Sequence, residues 1–367
     1  MFSQSPDSST LPPIYALWIE ELLRAPIPDE TEATCLDCAM CTTKDVHRTQ
    51  ADHLFHNKTK CCTYFPAVPN FLTGKILLDQ DPSFSVGRLR FLGQLFMFTV
   101  VTPLGVLPPP AENARYGAFQ KDFGQNPDLR CPYFIEEGGL CGIWKYRNAN
   151  CSTWFCKHVR GQTGLHFWRA LKDLLHKVEE KLSVWCIHEL TAGNEDFRQL
   201  FPLQDSDLET FQKQQAFYYD ISKVSSESLQ RQIWGKWFGA ERSFFEQCSR
   251  SIDVLNWKKI AEIGGPEISR AARHLTDCFA KLTGSNLPKC MKAAAIRSVH
   301  LNSGKVRAWG YSRYDPIDLP QSIYDALEVF DGSATAIVLE RLRIERGLRM
   351  TDEWLKKLCD FGILSSV

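Results

Sequence analysis

The sequence predicts an α+β protein, mainly α: a cysteine-rich N-terminal domain of irregular structure, a helical middle, and a C-terminal β-hairpin with a small helical module behind it. Three observations predict this. Nine of the fourteen cysteines fall between residues 30 and 160, where periodicity is weak and turn residues are frequent. From Leu165 to Trp185 apolar residues recur at intervals of three or four, the stripe of a helix with one buried face. Beyond residue 290 two strand-like runs flank Asn302-Ser303-Gly304, a turn signal.

A chain of 367 residues holds two or three domains, each with its own core. Apolar residues make up 44% and charged residues 23%, ordinary for a globular protein. The 43 basic residues balance the 43 acidic ones, so no global field favours nucleic acid or an anionic membrane. Neither is expected as a partner; a protein or small molecule of unknown identity is. The opening MFSQSPDSSTLPP lacks the basic and apolar regions of a secretory signal. The longest apolar run, Phe91 to Leu107, is broken by Gln94, Thr99, Thr102 and Pro103 and is too short to span a bilayer. The expected compartment is therefore the reducing cytoplasm. There, clustered thiols are expected to serve metal or redox chemistry and not disulfides.

The elements follow in order. Residues 1–13 are polar and proline-bearing and read as a disordered tail. Ile14, Leu17, Trp18 and Leu22 then have helical spacing. Residues 14–162 form the cysteine-rich domain, divided by Pro108-Pro109-Pro110, which neither a helix nor a central strand accommodates. Residues 163–290 form a helical domain, with helices expected over 163–190 and near 207–222, 227–250 and 266–282. Gly264-Gly265-Pro266-Glu267 marks a stop and a new start, with proline at the first helical position. Residues 291–367 hold the hairpin and short helices.

The cysteines fall into three elements. Cys35-Leu-Asp-Cys38-Ala-Met-Cys41 has two-residue spacers that let thiolates from a tight turn reach one ion. The same C-x2-C-x2-C spacing opens bacterial ferredoxin runs, but position 45 is Asp45, so a fourth ligand comes from elsewhere. Cys61-Cys62 is an adjacent pair whose side chains diverge in extended backbone. Cys131, Cys141, Cys151 and Cys156 form the third element, with Gly138-Gly139 permitting a sharp turn before Cys141. Nine thiols exceed the four that one tetrahedral site or one cubane needs. Two centres, or one centre with spare thiols, both fit. A bound metal would hold this irregular domain together, since metal binding and folding are coupled. His47, His53, His56 and His158 add candidate zinc ligands, and Lys145, Arg147, Lys157 and Arg160 candidate cations to offset thiolate charge. Cys186, Cys248, Cys278, Cys290 and Cys359 are scattered and read as packed side chains.

These segments resemble the YkgJ-type cysteine-cluster family, whose hallmarks are a CxxCxxCC run and a later C-x-I-Y-x-x-R-x3-C segment. The second is matched by Cys141-Gly-Ile-Trp-Lys-Tyr-Arg-x3-Cys151, with Trp144 where tyrosine is usual. The adjacent pair departs from the pattern by following Cys41 only after some twenty residues. The resemblance covers residues 35–160. It implies zinc or iron–sulfur binding, and it points to the related flagellin lysine methylases, whose similar cluster binds iron and sulfur and which use S-adenosylmethionine. The last 47 residues, with Phe330-Asp331-Gly332 before a helix, resemble a small winged-helix module.

No phosphate loop, H-E-x-x-H, G-x-S-x-G or G-x-G-x-x-G motif is present. Tyr218, Tyr219, Trp234, Trp237, Phe238, Phe244 and Phe245 have the spacing of a helical core. Glu136, Glu137, Asp45 and Asp52 lie near the cysteines and are acid–base candidates. Three functions compete. The first is an iron–sulfur protein, with a 4Fe-4S cluster favoured, acting as an enzyme on a protein or small molecule. The second is a zinc-stabilised interaction module without catalysis. The third is redox sensing by free thiols such as Cys61-Cys62. The sequence leaves the catalytic residues unknown.

Overall fold

In the computed structural model, which describes residues 11–31, 33–36, 38–41, 55–97, 100–191 and 227–367, one long helix organises the chain. Helix α6 (Gly161–Leu190) buries Phe167, Trp168, Leu171, Leu174, Leu175, Val178, Leu182 and Cys186. The face is wider than the predicted stripe: Leu165 and Trp185 lie at its half-buried margins. Several helices cover it. Helix α9 (Trp257–Thr283) runs along it, and α8 (Glu241–Asp253), which follows α7 (Glu227–Trp234), packs between it and α2 (Asn70–Leu78).

The whole is α+β and mostly helical, with small sheets, as the sequence predicts. Helix α1 (Pro13–Leu23) starts on Pro13, and Leu11 just before it is already in the core. Positions 1–10 of the expected tail and the expected helix near 207–222 lie outside the described residues. The predicted stop at Gly264-Gly265-Pro266 is a kink: Gly265 at φ 60 joins two helical stretches within α9.

The cysteine-rich region carries more regular structure than its periodicity suggests. It holds α2, α3 (Ser85–Met97), α4 (Pro110–Ala118), α5 (Ala149–Thr153), a sheet β1–β3–β2 (68–69, 105–107, 100–102) and a short hairpin of β4 (Phe134–Ile135) with β5 (Leu140–Cys141). The reason is burial. Helix α2 buries Asn70, Phe71, Leu72, Thr73, Gly74, Ile76 and Leu77, so no polar face remains to create a period. Gly74 permits this, because a Cβ there would lie 1.9 Å from the Phe245 carbonyl oxygen. Asn70 satisfies itself inside, donating to the Pro103 and Ser183 carbonyls at 2.9 Å each. One apolar core takes side chains from both sides of residue 162, running from Leu11 to Leu282.

A second core, with Met291, Leu319, Phe330, Val338, Leu342, Leu355, Leu358 and Ile363, belongs to the C-terminal module. The expected hairpin forms from β7 (Arg297–Leu301) and β8 (Lys305–Trp309), with Gly304 at φ 70 in its turn. A third strand, β9 (Ile317–Pro320), adds to it. Behind it come α10 (Gln321–Ala326), β10 (Asp331–Ala334), α11 (Thr335–Arg346), α12 (Asp352–Asp360) and β11 (Leu364–Ser366). Strand β6 (Cys290–Ala293) lies between β10 and β11.

The module docks on the start of α6. Arg160 holds Asp360 with two bonds, of 2.5 and 3.0 Å, and Thr163 donates to the same carboxylate at 2.9 Å. Gly161, at φ 47, lets the chains approach: a Cβ there would lie 2.4 Å from the Asp360 carbonyl oxygen. Among the described residues no helix is long and apolar enough to cross a membrane.

Candidate metal centre

Local turns, and one backbone bond between elements, position the cysteines. Cys38 and Cys41 share a turn in which the Cys41 amide donates to the Cys38 carbonyl at 3.0 Å. The Cys131 amide donates to the Cys62 carbonyl at 2.8 Å, which ties the adjacent pair to the third element. Cys141 lies in β5 opposite Phe134, after the turn at Gly138 (φ 83) and Gly139 (φ 62). Cys151 lies in α5, where its amide donates to the Asn148 side chain at 2.9 Å.

Lys60, a residue the sequence reading passes over, joins all three elements. Its ammonium donates to the Cys35 carbonyl and, at 3.4 Å, to the Gly138 carbonyl. Gly139 makes room, since a Cβ there would lie 2.7 Å from the Lys60 side chain. The informative signal was its position beside Cys61-Cys62, but its φ of 51 and its burial come from the fold.

Electrostatic coupling links the nine thiols in two overlapping neighbourhoods. The inner one holds Cys62, Cys131, Cys141 and Cys151. Burial pushes Cys131 and Cys151 up, reinforced by the charge of Cys141, and takes Cys141 to about 11. The Cys62 thiol is drawn down by a hydrogen bond from Cys61, but burial and its neighbours Cys141 and Cys131 raise it overall. The outer neighbourhood holds Cys38, Cys41 and Cys156. A hydrogen bond with Cys41 draws Cys38 below its ordinary range and raises Cys41. Burial, then the charges of Cys61 and Cys38, push Cys156 up to about 12. Cys35 and Cys61 face both groups; burial and Cys61 raise Cys35 to about 11.

Arg147 stands in the inner neighbourhood, 7% exposed. Burial lowers its pKa, while Cys141, Cys35, Cys151 and Cys62 hold it up. Tyr133 is fully buried there as well, and its hydroxyl has no hydrogen-bond partner among the described residues. Burial, then Cys131, Cys141 and Cys151, raise its pKa, so the phenol keeps its proton.

Of the other expected cations, only Lys157 faces a thiol, Cys156. Lys145 pairs with Asp81 at 2.6 Å, and Arg160 serves the module contact. His158 is buried and turns its Nδ1 to the Tyr311 hydroxyl at 3.3 Å. Exposed His56 accepts the Lys58 amide at 3.1 Å. His47, His53, Asp45 and Asp52 lie outside the described residues. Glu136 pairs with Arg130, and Glu137 is exposed. Trp234, Phe244 and Phe245 are core residues, as their spacing predicts; Tyr218 and Tyr219 are outside the described residues. Cys186, Cys248 and Cys278 are buried in the main core, and Cys359 packs against Met291 with its sulfur 3.7 Å from the methionine sulfur.

Glu179 was not legible as anything but a helix residue. It is buried, and its Oε1 accepts the Tyr15 hydroxyl at 2.5 Å and the Ala149 amide at 2.6 Å. Burial outweighs those bonds and raises its pKa to about 8. It thereby holds the first turn of α5, two residues before Cys151.

The donor chemistry suits a thiolate-bound metal: soft sulfur atoms, two buried cations to offset thiolate charge, and a buried hydroxyl with no acceptor among the described residues. As the side chains stand, no three His, Cys, Asp or Glu groups among the described residues are set to hold one ion. No family model, curated protein or solved structure matches the chain.

Proposed function

We propose that the N-terminal cysteine array of this protein carries iron–sulfur centres, in a reducing compartment such as the cytoplasm. The observation that carries the reading is the set of thiols about the buried Arg147, which are Cys141, Cys35, Cys151 and Cys62, with Cys131 beside Cys141 and the Tyr133 hydroxyl, unpartnered among the described residues, in the same neighbourhood. Neutral thiols do not offset the charge of a buried cation. Thiolates around a metal do, and cluster sulfur accepts a hydroxyl proton in a hydrogen bond.

Cys62, Cys131, Cys141 and Cys151 would hold the inner centre. Cys38, Cys41 and Cys156, with Cys35 or Cys61, would hold the outer one. Such a cluster supplies one-electron transfer when bound. The chain's own residues would then act around it: Arg147 and Lys60 offset charge, Tyr133 donates to sulfur, and the Gly138-Gly139 turn brings Cys141 inward. Zinc on four cysteines is the second reading, in keeping with a domain that metal holds together. Mixed cysteine–histidine ligation by His158 has less support, since its Nδ1 engages Tyr311.

We also read the C-terminal module as winged-helix-like. The order β10, α11, α12, β11 supports this, with two helices between two strands of one sheet. The central strand β6 precedes those helices in the chain, and α12 is spent on docking the module to α6.

The test is the iron, acid-labile sulfide and zinc content of anaerobically purified protein. Brown protein with iron and sulfide in similar amounts is expected. Colourless protein after anaerobic reconstitution, with stoichiometric zinc, would establish the zinc reading instead. Absence of every metal would overturn both.

A further inference from the structure

A cleft of about 420 Å³ lies where the cysteine-rich region meets the C-terminal module. One wall is Ala39 and Met40, inside the Cys38–Cys41 turn, with Lys157 beside Cys156. The other is built from β8, β9, the 313–317 loop and the end of α12. Its size is that of a small-molecule site.

The charges that line it do not cancel. Arg307 and Asp318 form a two-pronged pair of 2.7 and 3.0 Å, which neutralises both. Asp315 is buried at 3% exposure, accepts the His158 amide at 3.1 Å and the Tyr311 hydroxyl, and stands 3.9 Å from the Lys157 ammonium. Arg313 and Lys357 are different. Arg313 lies over the Tyr314 ring at 4.7 Å and donates to its hydroxyl; Lys357 lies over the Trp354 ring at 5.7 Å. Neither makes an ion pair among the described residues. Among the described residues the cleft therefore has an excess of two positive charges, in a chain whose formal net charge is zero.

Beside these cations are apolar surfaces. The Tyr314 ring is held by Phe55 at 5.4 Å and Trp154 at 6.3 Å, and Phe361 and Ile317 complete the lining. A ring fixed by two others is a rigid surface, suited to a flat apolar body. Two cations with no carboxylate partner among the described residues suit a pair of negative charges.

We propose that this cleft binds a small organic dianion, an apolar body bearing either a phosphate monoester or two carboxylates. The site draws its charges from residues outside the thiol array, so its ligand chemistry does not depend on whether the array holds iron or zinc.

Isothermal titration of the full-length protein, checked by circular dichroism to be folded, tests it with phenyl phosphate and phthalate as probes. Inorganic phosphate tests charge alone and phenol the ring alone. Binding of one dianion is expected, tighter than either control and weakened by salt. Phenyl phosphate alone would identify a phosphate site, phthalate alone a dicarboxylate site. Arg313→Gln and Lys357→Gln should each weaken binding about tenfold or more while leaving the fold intact, because both side chains are exposed. Unchanged affinity in both variants, inorganic phosphate binding as tightly as phenyl phosphate, or no heat from either dianion would overturn the proposal. Metal content measured on the same sample distinguishes its failure from that of the metal reading.

Discussion

The guanidinium of Arg147 lies 3.4 Å over the Trp144 ring and donates to the Cys151 carbonyl at 3.1 Å. A second bond, from Nε, reaches the Trp144 carbonyl at 3.2 Å. The C-x-I-W-x-x-R-x3-C segment thus folds as one unit, with the arginine clamped between the turn that follows Cys141 and the helix that carries Cys151. Arg147→Lys keeps the charge but loses the fork and the stacking. It is expected to cost about 2 kcal/mol in denaturant unfolding and to lower metal content. Wild-type stability with full metal content would remove Arg147 from the centre.

Tyr133 offers a sharper discrimination. In a metal-free protein its orphaned hydroxyl is a burden, so Tyr133→Phe should be neutral or stabilise by about 1 kcal/mol. In the metal-loaded protein the same change removes a hydrogen bond to sulfur and should lower the reduction potential of the inner centre. Voltammetry of the two proteins checks this; identical potentials would place the hydroxyl away from the cluster.

The two thiol neighbourhoods make separable predictions. Cys151→Ala disables the inner set and Cys38→Ala the outer, so each should lose about half of the bound iron, together with part of the N-terminal fold. Complete loss of iron from both variants would point to a single centre.

Gly87 on α3 decides where Cys141 sits. A Cβ at position 87 would lie 1.7 Å from the carbonyl oxygen of Gly142, the residue after Cys141. Gly87→Ala is therefore expected to destabilise by about 1–3 kcal/mol and to reduce metal content, although the residue is no ligand. Thermal melting and metal analysis on one sample measure both.

Glu179 sets a pH dependence. Its pKa is raised by burial from the ordinary 4.5 to about 8. The folded state thus holds a proton that the unfolded state has released between those values. The stability due to this group is fully present below about pH 4.5 and is lost as pH rises through about 8. The decline should approach roughly 1.4 kcal/mol per pH unit. Urea unfolding from pH 5 to 8 should show the slope, and Glu179→Gln should flatten it. An unchanged slope in the variant would assign it to other groups.

Local features were largely legible. The stripe of α6, the Gly138-Gly139 turn and the hairpin around Asn302-Ser303-Gly304 depend on neighbours in the chain, and periodicity and turn chemistry record those. Helix α2 was hidden because burial on every side erases its period. The third strand β9 depends on pairing with β8, which no local signal announces.

The sequence by itself determined that nine thiols belong to three elements with ligand-like spacing, since spacing is a property of the chain. Only the tertiary structure decided which thiols couple to one another, that Lys60 and Arg147 lie among them, that His158 engages Tyr311, and that Glu179 anchors α5. The physical reason is that burial and electrostatic reach act through space. A lysine or glutamate reads as a solvated side chain until distant segments such as Cys35 and Gly138, or Tyr15 and Ala149, close around it.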